Sequence, residues 1–455
     1  MVLCGYTGNL LYDIQDLGYS GGDGVQFYDE KDGFGKEIKM LEKIWIVKEK
    51  NIQRSSVFWN MMSSGINSVV SMFLLLIVTR TVGVAEAGIF SLGFSTSQMM
   101  LTIGNYGMRN YQVTDLNNKY SMRVYLSSRI LTDALMMIAA IIFIMVENYS
   151  YEKAVVTILL CLLRATDALD DVYGGYYQKN GRLDISGKLM TIRIAFYIVV
   201  FCVVLFISSN LIVSCLGAVV ASAVSLLVLV YSTKDLFALV FPAKSRQVLE
   251  LLRETFSLCA SAFLLIYMGN APKYAIDNFL SDASQAYYNY LFMPCFVINL
   301  FVGFALQPLL VRLSQSWLHA EYKKFVKLCG LIFGGAVGVA IIIVLAGYII
   351  GCQILSVVFG VDLMQYRDVL AILLLGGAFF AFAVIEQVIL TVMRRQTYLV
   401  LGFGVASLMA FLISSPLVRS KGLLGAGWTY TIAAGILFFI QAVMIWIFYQ
   451  KKEQI

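Results

Sequence analysis

The chain has 455 residues, 59% of them apolar and 14% charged, with a mean hydropathy of +0.78. Soluble domains are nearer 45–50% apolar and about 25% charged, so the composition argues against an ordinary cytosolic enzyme and for a polytopic membrane protein. Five prolines and thirty-six glycines argue equally against a disordered or collagen-like chain. The net charge of +6 raises nucleic acid as a partner, a question settled by where the charges fall.

In chain order, residues 1–50 come first. Eight glycines in the first 35 positions and alternating acidic and basic residues leave no span and no signal-peptide core, predicting a weakly ordered extension. Ile38, Leu41 and Trp45 recur at helical spacing among lysines, which predicts an interfacial amphipathic helix over 36–48. Met40 is an alternative start.

Twelve apolar stretches long enough to cross about 30 Å of hydrocarbon follow, at 57–79, 86–104, 127–146, 154–172, 188–208, 211–231, 255–276, 287–311, 328–350, 368–392, 397–416 and 424–448. Their length excludes strands, and a backbone in lipid must satisfy itself, so the expected fold is all-α with about twelve transmembrane helices. The stretches at 86–104 (rich in Gly, Ser and Thr) and 154–172 (charged) carry the weakest span signal. The polar tract 232–254 divides a first group of six helices, 51–231, from a second, 255–450.

Assigned to alternating sides, twenty-four Lys and Arg lie on the side of the termini and six on the other. That asymmetry predicts cytoplasmic termini, and it turns the positive charge into a topology signal, which removes the nucleic-acid reading.

The eight cysteines are scattered without a CxxC pair, and the single His319 sits beside Glu321, Lys323 and Lys324, so no metal site is indicated. No phosphate-cradling GxxxxGK[ST] loop, HExxH or GxSxG motif occurs, and no cofactor is expected. The loops are too short for a catalytic domain.

Ionisable groups inside spans are the functional candidates, since a central charge facing lipid costs roughly 2.5–3.5 kcal/mol. The fourth stretch holds Arg164, Asp167, Asp170 and Asp171. Arg164 lies near the midplane, and Arg164, Asp167 and Asp171 share a face by i, i+3 and i+7 spacing, so Arg164 can pair with Asp167. That pair reads either as a packing device or as the wall of a hydrated cavity. Asp170 and Asp171 are close enough to the cytoplasmic end to be solvated. Arg193 lies about one turn inside its span and can snorkel to the surface. Glu386 is deep in the tenth stretch without a sequence-near partner, so it must pair across helices, take a proton or face water. Pro272 followed by Lys273 and Asp277 reads as a helix breaker at the end of the seventh stretch, giving either a surface turn or a kinked helix with Lys273 at the outer mouth of a cavity. Tyr287, Tyr288 and Tyr290 open the eighth as interfacial anchors or as rings that stack on sugar.

An internal echo links Arg80 and Val84-Ala85-Glu86-Ala87-Gly88-Ile89-Phe90 with Asp277 and Asp282-Ala283-Ser284-Gln285-Ala286-Tyr287-Tyr288, six helices apart. Six helices per half suit a parallel repeat about the membrane normal.

The stretch Arg80-Thr81-Val82-Gly83 through Ala87-Gly88-Ile89-Phe90, followed by Gly104-Asn105-Tyr106-Gly107-Met108-Arg109, resembles the opening of bacterial polysaccharide (O-antigen type) flippases. Tyr177-Gln178-Lys179-Asn180-Gly181-Arg182 is similar to their loop between helices four and five, and Ala271-Pro272-Lys273-Tyr274-Ala275-Ile276-Asp277 to their seventh-helix ending. The resemblance covers residues 52–450; residues 1–50 match nothing in the pattern. It implies the multidrug/oligosaccharidyl-lipid/polysaccharide exporter superfamily: two six-helix bundles around a central cavity in the bacterial plasma membrane, moving polyprenyl-pyrophosphate-linked oligosaccharide by alternating access for surface polysaccharide (lipopolysaccharide or capsule) biosynthesis, with no enzymatic step. The partners it implies are the lipid-linked oligosaccharide, membrane lipids and other membrane proteins of polysaccharide assembly. Arg164, Lys273 and Arg80 become candidates for the anionic headgroup, Tyr287 and Tyr288 for the sugar, and Asp167, Glu386 and Asp277 for ion coupling or charge balance. A cation-coupled multidrug exporter of the same fold and a membrane-embedded polysaccharide enzyme are the alternatives.

Overall fold

A computed structural model describes residues 45–115, 118–234, 236–237, 240–242 and 246–450. The extension over 1–44, with Ile38 and Leu41 of the expected amphipathic helix, lies outside the described residues, as do parts of the 232–254 tract.

Among the described residues there is no strand, and the long helices run as twelve. They are α1 (Ile52–Thr81), α2 (Val84–Asn105), α3 (Met122–Val146), α4 (Tyr151–Lys179), α5 (Leu183–Ser208), α6 (Leu211–Tyr231), α7 (Gln247–Phe279), α8 (Asp282–Leu318), α9 (Tyr322–Phe359) and α10 (Arg367–Val392). The stretch Leu399–Gln450 is broken at Gly422 (φ 58°, ψ −136°) into α11 (399–421) and α12 (423–450). Eight helical stretches are long and apolar enough to cross a membrane. Large apolar side chains such as Ile138, Leu227, Ile342 and Phe439 are exposed on their outer faces, where hydrocarbon is the solvent that suits them. The chain is a multi-pass membrane protein.

Local chemistry accounts for the turns. Gly83 joins α1 to α2 at φ 115°, a region that only glycine enters freely. Asn210 and Ser281 cap α6 and α8, each accepting from a backbone N–H three residues on, at 3.1 and 3.2 Å. Pro272, expected to break α7, instead lies inside it; the helix continues to Phe279. A proline forfeits one helical hydrogen bond, which neighbouring helices make tolerable in a packed bundle.

The packing repeats. α1 lies on α5 and α2 on α4, while α7 lies on the Leu399–Gln450 stretch and α8 on α10. Between the first six helices and the last six, α2 is the main bridge, packing on α8 and α7. Alternate crossings place residues 52 and 450 at one end of the bundle. The other, distal end carries the turns at 82–83, 147–150, 209–210, 280–281, 360–366 and Gly422.

Trp45 corrects one expectation. Its side chain is fully buried, its indole N–H donating to Ser232 Oγ (2.9 Å) and its ring packed among Tyr177, Leu189 and Leu229. It anchors to protein between α4, α5 and α6, not to the lipid interface.

Candidate functional site

The charges of α4 are buried and almost completely paired. Arg164 donates to one oxygen of Asp167, and Arg193 of α5 approaches the other at 2.7 Å. Arg193 also donates through Nε to Asp170 (3.0 Å) and through Nη1 to Ser222 Oγ (2.8 Å) of α6. Asp171 accepts from Arg109 (3.1 Å) and from Arg129 of α3 (2.9 Å), whose Nη1 donates to the Gly104 carbonyl at the end of α2 (2.5 Å). Two expectations are thereby corrected. Arg193 does not snorkel, because it is fully buried between two carboxylates; and Asp170 and Asp171 are not merely solvated, because each holds a guanidinium. Charges inside an apolar bundle persist only where an opposite charge or donor replaces water.

Arg129 and Asp133 escaped the sequence reading. Both fall within the third apolar stretch, four residues apart on one helical face, and a count of ionisable residues in that stretch would have found them.

Arg164 keeps spare capacity. Its Nε and Nη2 are buried with no hydrogen bond among the described residues, and its guanidinium lies over the Phe94 ring of α2, 4.4 Å from the centroid. The Tyr197 hydroxyl lies beside it. Lys273 reaches the next residue of α2, donating to Ser95 Oγ (2.8 Å), with the Phe292 ring of α8 at 5.3 Å. It is 7% exposed and has no carboxylate partner among the described residues. The expected surface turn or cavity mouth is therefore incorrect, since Lys273 is buried at the seam between the two halves. Phe94 and Ser95 are successive, so the two cations meet α2 at one level, within about 1.5 Å along its axis.

The other candidates lie elsewhere. Asp277 pairs with Lys153 of α4 (2.7 Å), which also holds Asp282 (2.6 Å). Arg80 donates to the carbonyls of Val357 (2.5 Å) and Val358 (2.8 Å), closing the C-terminus of α9. Near them Thr79 meets the Tyr290 hydroxyl (2.8 Å), and Asn289 donates to Ser91 Oγ (3.0 Å). Each of these contacts joins the first six helices to the last six at the distal end. Tyr288 and Tyr290 are fully buried, which corrects the interfacial-anchor reading. Tyr287 is half-buried, its ring 5.4 Å from Tyr366. Glu386 is 2% exposed in α10, and its Oε2 has no hydrogen-bond partner among the described residues. Among those residues no group of His, Cys, Asp or Glu is arranged to hold a metal.

Residues 54–315 match the sequence profile of a family described as polysaccharide biosynthesis protein. The chain belongs to that family. It is 22% identical over 402 residues to the capsular polysaccharide biosynthesis protein CapF of Staphylococcus aureus, covering 86% of this chain and 98% of CapF. Among solved structures it is similar to the lipid II flippase MurJ in an inward closed conformation, with a TM-score of 0.63, 14% identity and coverage of 85% and 87% of the two chains. An inward-facing multidrug resistance MATE family transporter of the MOP superfamily gives a TM-score of 0.57 at 14% identity, covering 92% and 95%. These likenesses establish a shared fold.

Proposed function

We propose that this chain is a flippase that carries polyprenyl-pyrophosphate-linked oligosaccharide across the bacterial plasma membrane by alternating access, with no covalent step. The observation that carries the reading is Lys273, a buried ammonium at the seam between the halves, hydrogen-bonded to a neutral hydroxyl. An unpaired buried cation is costly, and a pyrophosphate is the partner that removes the cost. Arg164, with two nitrogens uncommitted at the same level of α2, supplies a second contact. The excess of Lys and Arg on the side of the termini supports cytoplasmic termini, which makes the distal end the outer face.

Arg80 and Asp277 then act in closing that outer face rather than in holding substrate. Asp167 balances Arg164 and Arg193, Tyr287 offers an aromatic wall with Tyr288 packed beneath, and Glu386 is the candidate for ion coupling in the second half. A cationic drug as cargo is disfavoured by the ammonium of Lys273, which stands at the seam without a carboxylate partner among the described residues.

The test is genetic. Deletion should accumulate lipid-linked oligosaccharide and abolish surface polymer; Lys273→Ala should insert normally yet fail to restore it, and Lys273→Arg should restore it in part. Full restoration by Lys273→Ala would sink the substrate role. Altered resistance to cationic compounds with intact polymer would favour the exporter reading.

A further inference from the structure

Four guanidiniums meet four carboxylates in the interior of the first half: Arg109, Arg129, Arg164 and Arg193 against Asp133, Asp167, Asp170 and Asp171. Three of the carboxylates are paired. The fourth is not. Asp133 is 9% exposed, and both its oxygens are buried without a hydrogen-bond partner among the described residues. It lies against Gly104 of α2, where Met136, one turn along α3, and Ala168 of α4 also converge. A methyl on Gly104 would stand 2.9 Å from Asp133 Oδ1 and 3.0 Å from Met136 Sδ, so the end of α2 closes directly over the carboxyl.

The nearby guanidiniums are engaged by other partners. Arg129, on the same helix, gives Nη2 to Asp171 and Nη1 to the Gly104 carbonyl, while its Nε makes no hydrogen bond among the described residues; Arg109 is held by Asp171. The single charged residue of α2, Glu86, is at its far end. On α7, Glu250 and Glu254 are engaged by Lys119, Arg253 is exposed, Lys273 faces Ser95 and Asp277 faces Lys153. Elsewhere on α4, Lys153 holds Asp277 and Asp282 while Lys179 faces Asp115. Arg123 on α3 is exposed.

We propose that Asp133 is a proton-binding site whose occupancy sets the charge the first half presents to an anionic substrate. The physical ground is that an ionised carboxylate with neither water nor a donor is far more costly than its neutral acid. With the proton bound, the cluster's four cations face three anions and it carries one net positive charge; with the proton lost to water, the cluster is neutral. Ala168, which like Asp133 lies against Gly104, is one helical turn from Arg164, so the change is felt at the nitrogens left free for a phosphate. Gly104 ends the helix that bridges the two halves, so a movement of α2 that opens the seam also admits water to Asp133.

The coupling, though not the proton site itself, rests on the flippase reading, and the experiment separates the two. Infrared difference spectra of the purified full chain in nanodiscs at neutral pH, wild type minus Asp133→Asn, should contain the carbonyl stretch of a protonated carboxylic acid; its absence overturns the site. Geranyl pyrophosphate binding is then measured from acid to alkaline pH for wild type, Asp133→Asn and Asp133→Leu, the last adding no new donor. The ratio of variant to wild-type affinity cancels the ligand's own ionisation. It should be near one in acid and rise in alkali to on the order of tenfold, the effect of one charge about 10 Å away at an effective dielectric near 20. A ratio flat across pH overturns the coupling. No binding by wild type removes the anionic-substrate reading and the coupling with it, while the infrared band still decides the proton site.

Discussion

Gly88→Ala is the sharpest perturbation the fold offers. Gly88 lies on α2 where it meets the first turn of α8, and an added Cβ would stand 1.9 Å from the Asp282 carbonyl oxygen and 2.6 Å from its carbonyl carbon. Both are main-chain atoms, so no side chain can swing aside. Non-bonded heavy atoms settle near 3.5 Å, so α2 and α8 must part by roughly 1.5 Å. That displacement strains the contacts around it: Lys153 with Asp277 and Asp282, Asn289 with Ser91, and Thr79 with Tyr290. None of this cost arises once the distal end is open. Overpacking of this kind costs about 1–3 kcal/mol, which lowers the closed-to-open ratio by about five- to 140-fold.

The assay is the rate at which a membrane-impermeant maleimide labels Ser91→Cys, a position 5% exposed beside Asn289. Adding Gly88→Ala should raise that rate and reduce transport, while the folded yield stays the same. Gly217→Ala is the control, since its Cβ would meet only side-chain atoms of α5 at an ordinary 3.4 Å. Equal labelling with and without Gly88→Ala would refute the reasoning, because the closed distal end would then tolerate a methyl where two backbones touch.

Three further outcomes follow from the same contacts. Arg193→Met strands the carboxylate of Asp170 in the bundle and leaves Asp167 with Arg164 alone, which should cost about 3–5 kcal/mol, read as a lower unfolding temperature in detergent; Arg193→Met with Asp170→Leu should recover a large part of it. Trp45→Ala empties a fully buried site and should cost roughly 3–5 kcal/mol, measured in the same way. Asp115 lies in the loop before α3, where burial raises its pKa but is outweighed by the Tyr120 and Lys119 backbone N–H groups and by Lys179, leaving it below the ordinary carboxylate value. Its stabilisation is therefore complete above the unfolded pKa of about 4 and is lost as pH falls through the lower folded value; proteolysis of the 118–122 loop should rise on that acid limb in the wild type and be pH-independent there in Asp115→Asn.

The twelve helices were legible because hydrocarbon imposes one rule on every span, and the stretches with the weakest span signal, 86–104 and 154–172, became α2 and α4, which carry much of the polar interior. The pairing of Arg164 with Asp167 was legible too, since i, i+3 spacing is local. Partners from other helices were not. Nothing in the sequence near Arg193 signals two carboxylates on α4, and Lys153 gives no local sign that it reaches Asp277, 124 residues away. Pro272 misled because the rule for proline is local whereas its tolerance is set by neighbouring helices. The two segments of the internal echo turn out to touch, Gly88 against Asp282, which explains in steric terms why the motif resembling the flippase opening carries glycine there.

The distribution of charge also bears on turnover. A carrier that bound its anion with fully free cations would hold it too tightly to release it, and one whose cations were all neutralised would not bind it. Arg164 sits between these limits, with one contact to Asp167 and two nitrogens free, and Lys273 has one neutral partner. Because both pack on the same turn of α2, through Phe94 and Ser95, a shift of that helix alters both contacts together. The same helix carries the Gly88 contact at the distal end and the Gly104 carbonyl held by Arg129 and Thr132 at the other. Thus α2 joins the contacts of the distal end, the two cations proposed for the substrate and the buried carboxyl of Asp133 in one element. Substitutions at either end of it should therefore change affinity for the anion as well as access to the seam, whereas substitutions on the lipid-facing side of α6 should change neither.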